Sequence, residues 1–349
     1  MKTAIFLGAG ASKADGAPLQ SEILHDYFSS DEFDTKANVM DREMEIYFKV
    51  MFDLDVQNKD NLTVFPKFEE AIGMLDLAKE RGESFRAFGN DVTTLHLEKI
   101  DRLRLFFVML MAKIIDKKVR DENHHRTLVG KLIESGLIED TIFVSTNYDL
   151  LMDNALDYYF GQGQINYGIG QLDEEYRPNI GNKTVEFLKI HGSLDWLYCP
   201  ICNKIERNKL FSTKEKIKEK IEYLKCDKCG GLTVPIMVPP TYYKEMNNIY
   251  LSTIWHRVEQ RLLGVDHIIF CGYSFPNADM HIKYLLKRVQ VNREPEYPLK
   301  ITIINDFKGK ESLKKNNEAN RYKRFFGQNL DYLDISFEEF AANPVAIMK

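Results

Sequence analysis

No apolar run in this chain is long enough to cross a bilayer. The best candidate, Leu103 to Ile115, is interrupted by Arg104 and Lys113 and reads as a buried helix. The first residues do not read as a secretory leader, because the apolar run is short and turns at once into glycine. These absences predict a cytoplasmic protein with no membrane partner. Positive charge is not in excess either: the net charge is −5, which excludes a globally basic nucleic-acid binder and leaves only a local basic patch open. There are only five cysteines; four fall into two pairs and Cys271 stands alone. In a reducing compartment such pairs point to a metal rather than to disulfides. Internal repeats and low-complexity tracts are missing. What remains is 349 residues with 44% apolar and 28% charged side chains, ordinary for a globular protein and long enough for two or three folding units.

The stretch that organises the chain is its beginning. Thr3 to Leu7 is a short apolar run that feeds Gly8-Ala9-Gly10-Ala11-Ser12 and then Gly16-Ala17-Pro18. A buried parallel strand ends this way when its backbone must approach a ligand closely. The turn predicts a helix start whose first N–H groups suit a pyrophosphate. A tight strand–helix turn with no ligand is the other reading. The third glycine of the dinucleotide fingerprint is absent, since Lys13 stands in its place.

From Ser29 to about Arg120 strand patterns disappear, and charged and apolar residues interleave at helical spacing. This region is read as a helical insertion over 29–120, with a loop from Phe85 to Thr94. Strand texture returns at Thr141 to Ser145, ending in Thr146-Asn147-Tyr148-Asp149, and a helix follows from Leu150 to Phe160. Gly161 to Tyr176 reads as a surface loop. Further strands are Glu186 to Ile190, ending in His191-Gly192-Ser193; Asp266 to Phe270, ending near Gly272-Tyr273-Ser274; and Lys300 to Ile304, ending in Asn305. Strands alternating with helices predict an α/β fold with a doubly wound, Rossmann-like parallel sheet. Ligands of such sheets lie outside the carboxyl ends of the strands. That rule gathers the glycine loop, Asn147, Asp149, His191, Ser274 and Asn305 on one rim. The sheet domain is assigned to 1–28, 121–198 and 232–349, and the cysteine-bearing segment to 199–231.

Cys199-Pro-Ile-Cys202 and Cys226-Asp-Lys-Cys229 are two C-x-x-C knuckles. Together they supply the four thiolates of a closed, tetrahedral structural zinc site. The lysine-rich stretch between them, Lys204 through Lys220, reads as a solvated face, with nucleic-acid or partner contact as the minor alternative.

In this order the motifs resemble the SIR2 (sirtuin-like) family. Gly8 to Ser12 with Gly16-Ala17-Pro18 resembles its first NAD motif. Ser145 to Asp149 resembles T-Q-N-x-D, and Lys189-Ile-His191-Gly192-Ser193 its H-G motif upstream of a four-cysteine zinc ribbon. Gly272-Tyr-Ser274 resembles the later G-T-S motif, and Ile304-Asn305 the terminal ribose-binding Asn. The resemblance implies NAD+ held in a Rossmann-like domain beside a small Zn2+ module. It is nearer to the bacterial SIR2-like branch found among anti-phage effectors than to protein deacylases. Leu19-Gln20-Ser21 stands where deacylases carry Phe and Arg after the proline, Thr146 replaces the motif glutamine, and the insertion is larger and helical.

The residue roles follow from that chemistry. Gly8, Ala9, Gly10 and Gly272 bring backbone to the nucleotide, and Ser12 offers a hydrogen bond to phosphate. Asn147 holds the ribose or the attacking water, having both donor and acceptor. Asp149 contacts the nicotinamide amide or buttresses its turn. His191 is the candidate general base. Ser274 and Asn305 take the adenosine half; Asp279 and His281 are secondary candidates, and Trp196 is core packing. The leading activity is NAD+ glycohydrolysis to nicotinamide and ADP-ribose, with NAD+ depletion in antiviral defence. An NAD-dependent deacylase and a non-catalytic NAD or ADP-ribose sensor are the alternatives. The resemblance further implies a homo-oligomer, restrained through the insertion, and a HerA-type ATPase or other sensor protein as partner.

Overall fold

The computed structural model describes residues 1–30, 33–36, 38–58, 65–86, 96–118, 123–170, 183–207, 225–237, 248–277, 279–294, 296–308 and 312–349. Parts of the expected loops at 85–94 and 161–176, most of the lysine-rich stretch and residues 238–240 lie outside these. By its packing the chain divides into two compact units. One comprises Met1–Ala17, Val119–Met237 and Met246–Lys349; the other comprises Pro18–Lys118 and Val238–Glu245.

The first unit is built on a seven-stranded, wholly parallel sheet. Its strands are β1 (Thr3–Leu7), β2 (Thr141–Ser145), β3 (Ile165–Asn166), β4 (Val185–Lys189), β8 (His267–Cys271), β9 (Lys300–Ile304) and β10 (Asp331–Leu333). Their order across the sheet is β10-β9-β8-β1-β2-β4-β3. β1 is central and buried along its whole length, as a strand covered on both faces must be. The helices α1 (Ala9–Ala14), α6 (His124–Glu134), α7 (Leu151–Phe160), α8 (Ile249–Leu263), α9 (Met280–Val291), α10 (Ser312–Phe326), α11 (Phe337–Ala342) and α12 (Val345–Met348) complete the unit. No helix among the described residues is long and apolar enough to cross a membrane.

A second, antiparallel sheet of three strands has the order β6-β5-β7, with β5 (Gly192–Tyr198), β6 (Ile205–Arg207) and β7 (Val234–Met237). Val234 to Pro240 reads as extended in the sequence, whereas β5 is not marked there as a strand. β5 is buried over nearly its whole length, polar residues included, so it shows none of the alternation that marks a half-exposed strand. Trp196 lies fully buried within β5 and packs edge-on against Tyr167.

A buried Asp–His contact ties α1 to α6. Asp15, at the end of α1, accepts the backbone N–H of His124 at 2.8 Å and faces His125 Nδ1 at 2.5 Å, with both side chains almost fully buried. Burial alone would raise the Asp15 carboxyl. The bond to His125, its charge and the two N–H donors outweigh that and hold it below the usual carboxylate range. A depressed folded-state pKa stabilises the fold at pH above the unfolded value, near ~4, and that gain is lost as pH falls through the folded value. Asp15→Asn is therefore expected to cost about 1.5–3 kcal/mol at pH 7 and progressively less toward pH 3, read by urea unfolding at both pH values.

The second unit, among its described residues, is helical: α2 (Gln20–Phe28), α3 (Val39–Phe52), α4 (Phe68–Arg81) and α5 (His96–Lys118). Its core is aromatic, with Phe28, Phe48 and Phe65 in mutual ring contact and Phe107 against Tyr47 and Phe68. Buried Asp41 accepts from the Tyr27 hydroxyl and, at 2.7 Å, from the Asp34 N–H, so its charge does not stand alone in this core.

Candidate active site at the strand ends

Parallel register sets the last residues of six strands on one level. Leu7 pairs with Ser145 on one side and Cys271 on the other; Ser145 pairs with Lys189, Cys271 with Ile304, and Ile304 with Leu333. Apart from the cysteine knuckles, each motif singled out in the sequence begins within three residues of that row. The chain turns away in opposite directions from β1, through β2 on one flank and β8 on the other, which makes the β1–β8 edge the topological switch point of the sheet.

The glycines at this edge have a direct cause. A Cβ at Gly8 would lie 2.6 Å from the Gly272 carbonyl oxygen, and one at Gly10 would lie 2.8 Å from Gly272 Cα. Gly272 itself has φ +61°, and its Cβ would meet the Ala11 nitrogen at 2.1 Å. The two loops dock backbone to backbone, and only glycine permits it. Gly8 N–H donates to Cys271 O at 2.9 Å and Gly10 N–H to Gly272 O at 2.8 Å. Two donors that the sequence reading offered to a pyrophosphate are thus engaged within the protein. Ala9, between them, is exposed.

Asn147 stands over this loop. Its Nδ2 donates to Gly8 O and to Ser12 Oγ, both at 2.8 Å. Ser12 passes its own hydrogen to Asp149 Oδ2 at 2.6 Å, and Asp149 Oδ1 accepts the Leu151 N–H at 3.1 Å. Asp149 therefore has both oxygens engaged as a buttress of its turn. His191 comes to the same place from β4, with Nδ1 3.2 Å from the carbonyl oxygen of Thr146, the residue before Asn147. Its Nε2 lies 2.9 Å from Nε2 of His281 on α9. Gly192 follows with φ +81°; a Cβ there would strike Ile236 O at 2.1 Å, so β5 can start beside β7 only from a glycine.

The other flank is held differently. Asn305 Nδ2 donates to Tyr273 O at 3.2 Å and to Glu318. Ser274 is exposed, and its carbonyl accepts from Arg321 Nη2 at 2.7 Å. Asp279 accepts from the Tyr273 hydroxyl at 2.8 Å. These residues brace the loops after β8 and β9 and do not touch Asn147 or His191 through any of these bonds.

Sequence reasoning gave no role to the buried network beneath the site. Lys189 Nζ, with no exposed surface, donates to Asp149 O at 2.7 Å, Asp153 Oδ2 at 2.8 Å and Ser193 Oγ at 2.7 Å. All three ammonium hydrogens are thereby used. Tyr167 donates to the other Asp153 oxygen at 2.8 Å. Ser193 donates to Asp195 at 2.6 Å, and Asp195 accepts from Arg207 Nε at 2.7 Å. Burial pushes the Asp153 carboxyl up, against the pull of Lys189 and Arg207. A lysine inside an otherwise apolar strand pattern was the available signal.

The cysteines converge. Cys199 Sγ lies 3.4 Å from Cys229 Sγ and Cys202 Sγ 3.6 Å from Cys226 Sγ, and all four sulfurs fall within 4.8 Å of one another. These separations are far beyond a disulfide, about 2.05 Å. They suit a tetrahedral ion, for which Zn–S bonds of about 2.3 Å set sulfurs roughly 3.8 Å apart. Backbone turns hold the knuckles: Asn203 N–H donates to Cys199 O and Gly230 N–H to Cys226 O, both at 2.9 Å.

No curated protein matches the chain by sequence. Among solved structures, a Sir2 complex with a p53 peptide and NAD+ is 18% identical, covering 100% of this chain and 93% of that one at a TM-score of 0.40. A sirtuin structure on substrate affinity is 15% identical, covering 100% and 94% at 0.43. The SIR2-like domain family matches residues 141–324, from the start of β2 almost to the end of α10. That span exceeds half of the chain and takes in Asn147, His191, the four cysteines and Asn305; the protein belongs to the SIR2-like family.

Proposed function

We propose that the chain is an NAD+ glycohydrolase whose reaction is centred on Asn147 and His191. The observation that supports this reading is that His191 faces the carbonyl of Thr146, the residue before Asn147, while Asn147 is tied to Gly8 O at the end of β1. Cleavage breaks the bond between ribose C1′ and the nicotinamide nitrogen, and the electron pair leaves with nicotinamide. The oxocarbenium-like centre at C1′ takes a water oxygen, as in other glycosidic cleavages. His191, with Nδ1–H held on Thr146 O, presents the Nε2 lone pair that accepts the water's proton. Asn147, its two amide hydrogens held by Gly8 O and Ser12 Oγ, orients the ribose or the water through its amide oxygen. The β1–β8 edge, with Gly8 to Ser12 and Gly272, lies against the pyrophosphate, and Ser274 and Asn305 lie toward adenosine.

Hydrolysis is preferred to deacylation because Leu19-Gln20-Ser21 follows Pro18 where deacylases carry Phe and Arg. A chromatographic assay separates the two. NAD+ lost at the same rate with and without an acyl-lysine peptide supports hydrolysis; loss that requires the peptide, with matching deacylation, overturns it.

The same proposal extends to regulation and setting. NAD+ depletion serves antiviral defence, and the 29–120 insertion carries the restraint through homo-oligomer contacts or a sensor partner such as a HerA-type ATPase. The protein acts in the cytoplasm, where its thiols stay reduced. Cys199, Cys202, Cys226 and Cys229 hold one structural Zn2+, which cross-links the two knuckles without an open coordination position. Metal analysis is expected to return one zinc per chain, and Cys226→Ser to lose it and to lower the melting temperature. A metal-free wild type that folds with an unchanged melting temperature contradicts this assignment.

A further inference from the structure

His191 has a neighbour to which the mechanism above gives no part. His281, the second residue of α9, faces it Nε2 to Nε2 at 2.9 Å. The other His191 nitrogen faces Thr146 O. A carbonyl oxygen only accepts, so Nδ1 carries the hydrogen there. In the neutral ring, Nε2 of His191 is then a bare lone pair. A hydrogen bond across 2.9 Å needs one hydrogen, and His281 must supply it. His281 Nε2–H therefore donates to His191 Nε2, whether His281 is itself neutral or charged.

His281 is steadied in turn. Its ring lies 5.2 Å from the ring of Trp255 on α8, tilted by 44°. Trp255 Nε1–H donates to Ile190 O at 2.8 Å, the carbonyl directly before His191. A closed circuit results, from the end of β4 through Trp255 and His281 back to His191. Tyr148 also lies along the His191 ring, with 6.1 Å between centroids and 26° between planes.

We propose that His281 is a positioning residue for His191. Its Nε2–H holds the base in the Nδ1–H form and keeps the reactive nitrogen aimed at one point until substrate enters. This role rests on His191 being the base proposed above. The hydrogens balance as follows. In the resting pair, His191 bears one on Nδ1 and His281 bears one on Nε2. Water then replaces His281 at His191 Nε2; its O–H bond breaks, the proton passes to Nε2, and the oxygen's electron pair forms the bond to C1′. His191 ends as imidazolium, and His281 keeps its own hydrogen throughout.

Two full-length variants test this beside wild type. His281→Phe keeps a ring against Trp255 and removes the donor; His281→Gln restores an N–H donor. His281→Phe is expected to lower kcat about 10- to 100-fold with KM for NAD+ within about twofold, as for other losses of a partner that orients a functional histidine. His281→Gln is expected to recover most of that loss. Imidazole 15N NMR of the wild type should show His191 protonated at Nδ1 alone, with mixed tautomers in His281→Phe. Wild-type kcat in His281→Phe, a Gln variant no better than Phe, or a His191 protonated at Nε2 in the resting wild type overturns the proposal. The NMR arm needs no turnover: a wild type that never cleaves NAD+ defeats the hydrolase reading, while the spectrum still decides the pairing.

Discussion

Asn147→Ala is expected to lower kcat for NAD+ cleavage about 10²- to 10³-fold, the size of effect seen when one fixed polar group is removed from a reacting centre. The residue ties the ends of β1 and β2 to the start of α1. Its Nδ2 bridges Gly8 O and Ser12 Oγ, and its backbone N–H is held by Ser145 Oγ at 3.0 Å. Alanine keeps the backbone and removes the bridge, so the glycine loop and the Ser12–Asp149 pair lose their common tie. The stability cost should be near that of ordinary hydrogen bonds, about 1–2 kcal/mol. A large fall in kcat beside a small shift in melting temperature separates a role in the reaction from general damage. Steady-state kinetics with thermal melts of the same preparations read both.

Lys189→Met is expected to be the most destabilising single change in the sheet unit, about 3–5 kcal/mol, because it strands the Asp153 carboxylate without its cation. Lys189 and Asp153 have no exposed surface, so water cannot replace the lost partner. At roughly 2–4 °C per kcal/mol for a unit of this size, the melting temperature should fall by about 10 °C. The double variant Lys189→Met with Asp153→Leu should recover much of the loss, because removing both charges removes the unpaired group. Recovery in the double variant is the sign that the pair, and not methionine packing, carries the cost. The single variant should also lose activity, because Lys189 Nζ holds the Asp149 carbonyl, two residues after Asn147, and the Ser193 hydroxyl, two residues after His191.

Five strands were legible because a strand buried on both faces reads as an unbroken apolar run and stops at small or polar residues. β3 and β10, with two and three residues, are too short to show a pattern. The rim was legible because parallel strands must end on one side, whatever lies between them in sequence. Partners were not. Gly8 and Gly10 owe their lack of side chains to Gly272, and Lys189 finds its counterion in Asp153; nothing local in either stretch names the other. His281 was noticed only for its nearness to the Gly272 motif, and its partner lies on β4's far end, 90 positions back. The cysteine cluster was legible in full, since the knuckle spacing itself fixes the four sulfurs.

The most direct test follows NAD+ by chromatography over purified wild-type protein and His191→Ala, with no acylated peptide present. Nicotinamide and ADP-ribose should appear in equal amounts with wild type and fall at least about a hundredfold with His191→Ala. Equal cleavage by both proteins, or none by either with or without the sensor partner, contradicts the placing of an NAD+ glycohydrolase site at the ends of β1, β2 and β4.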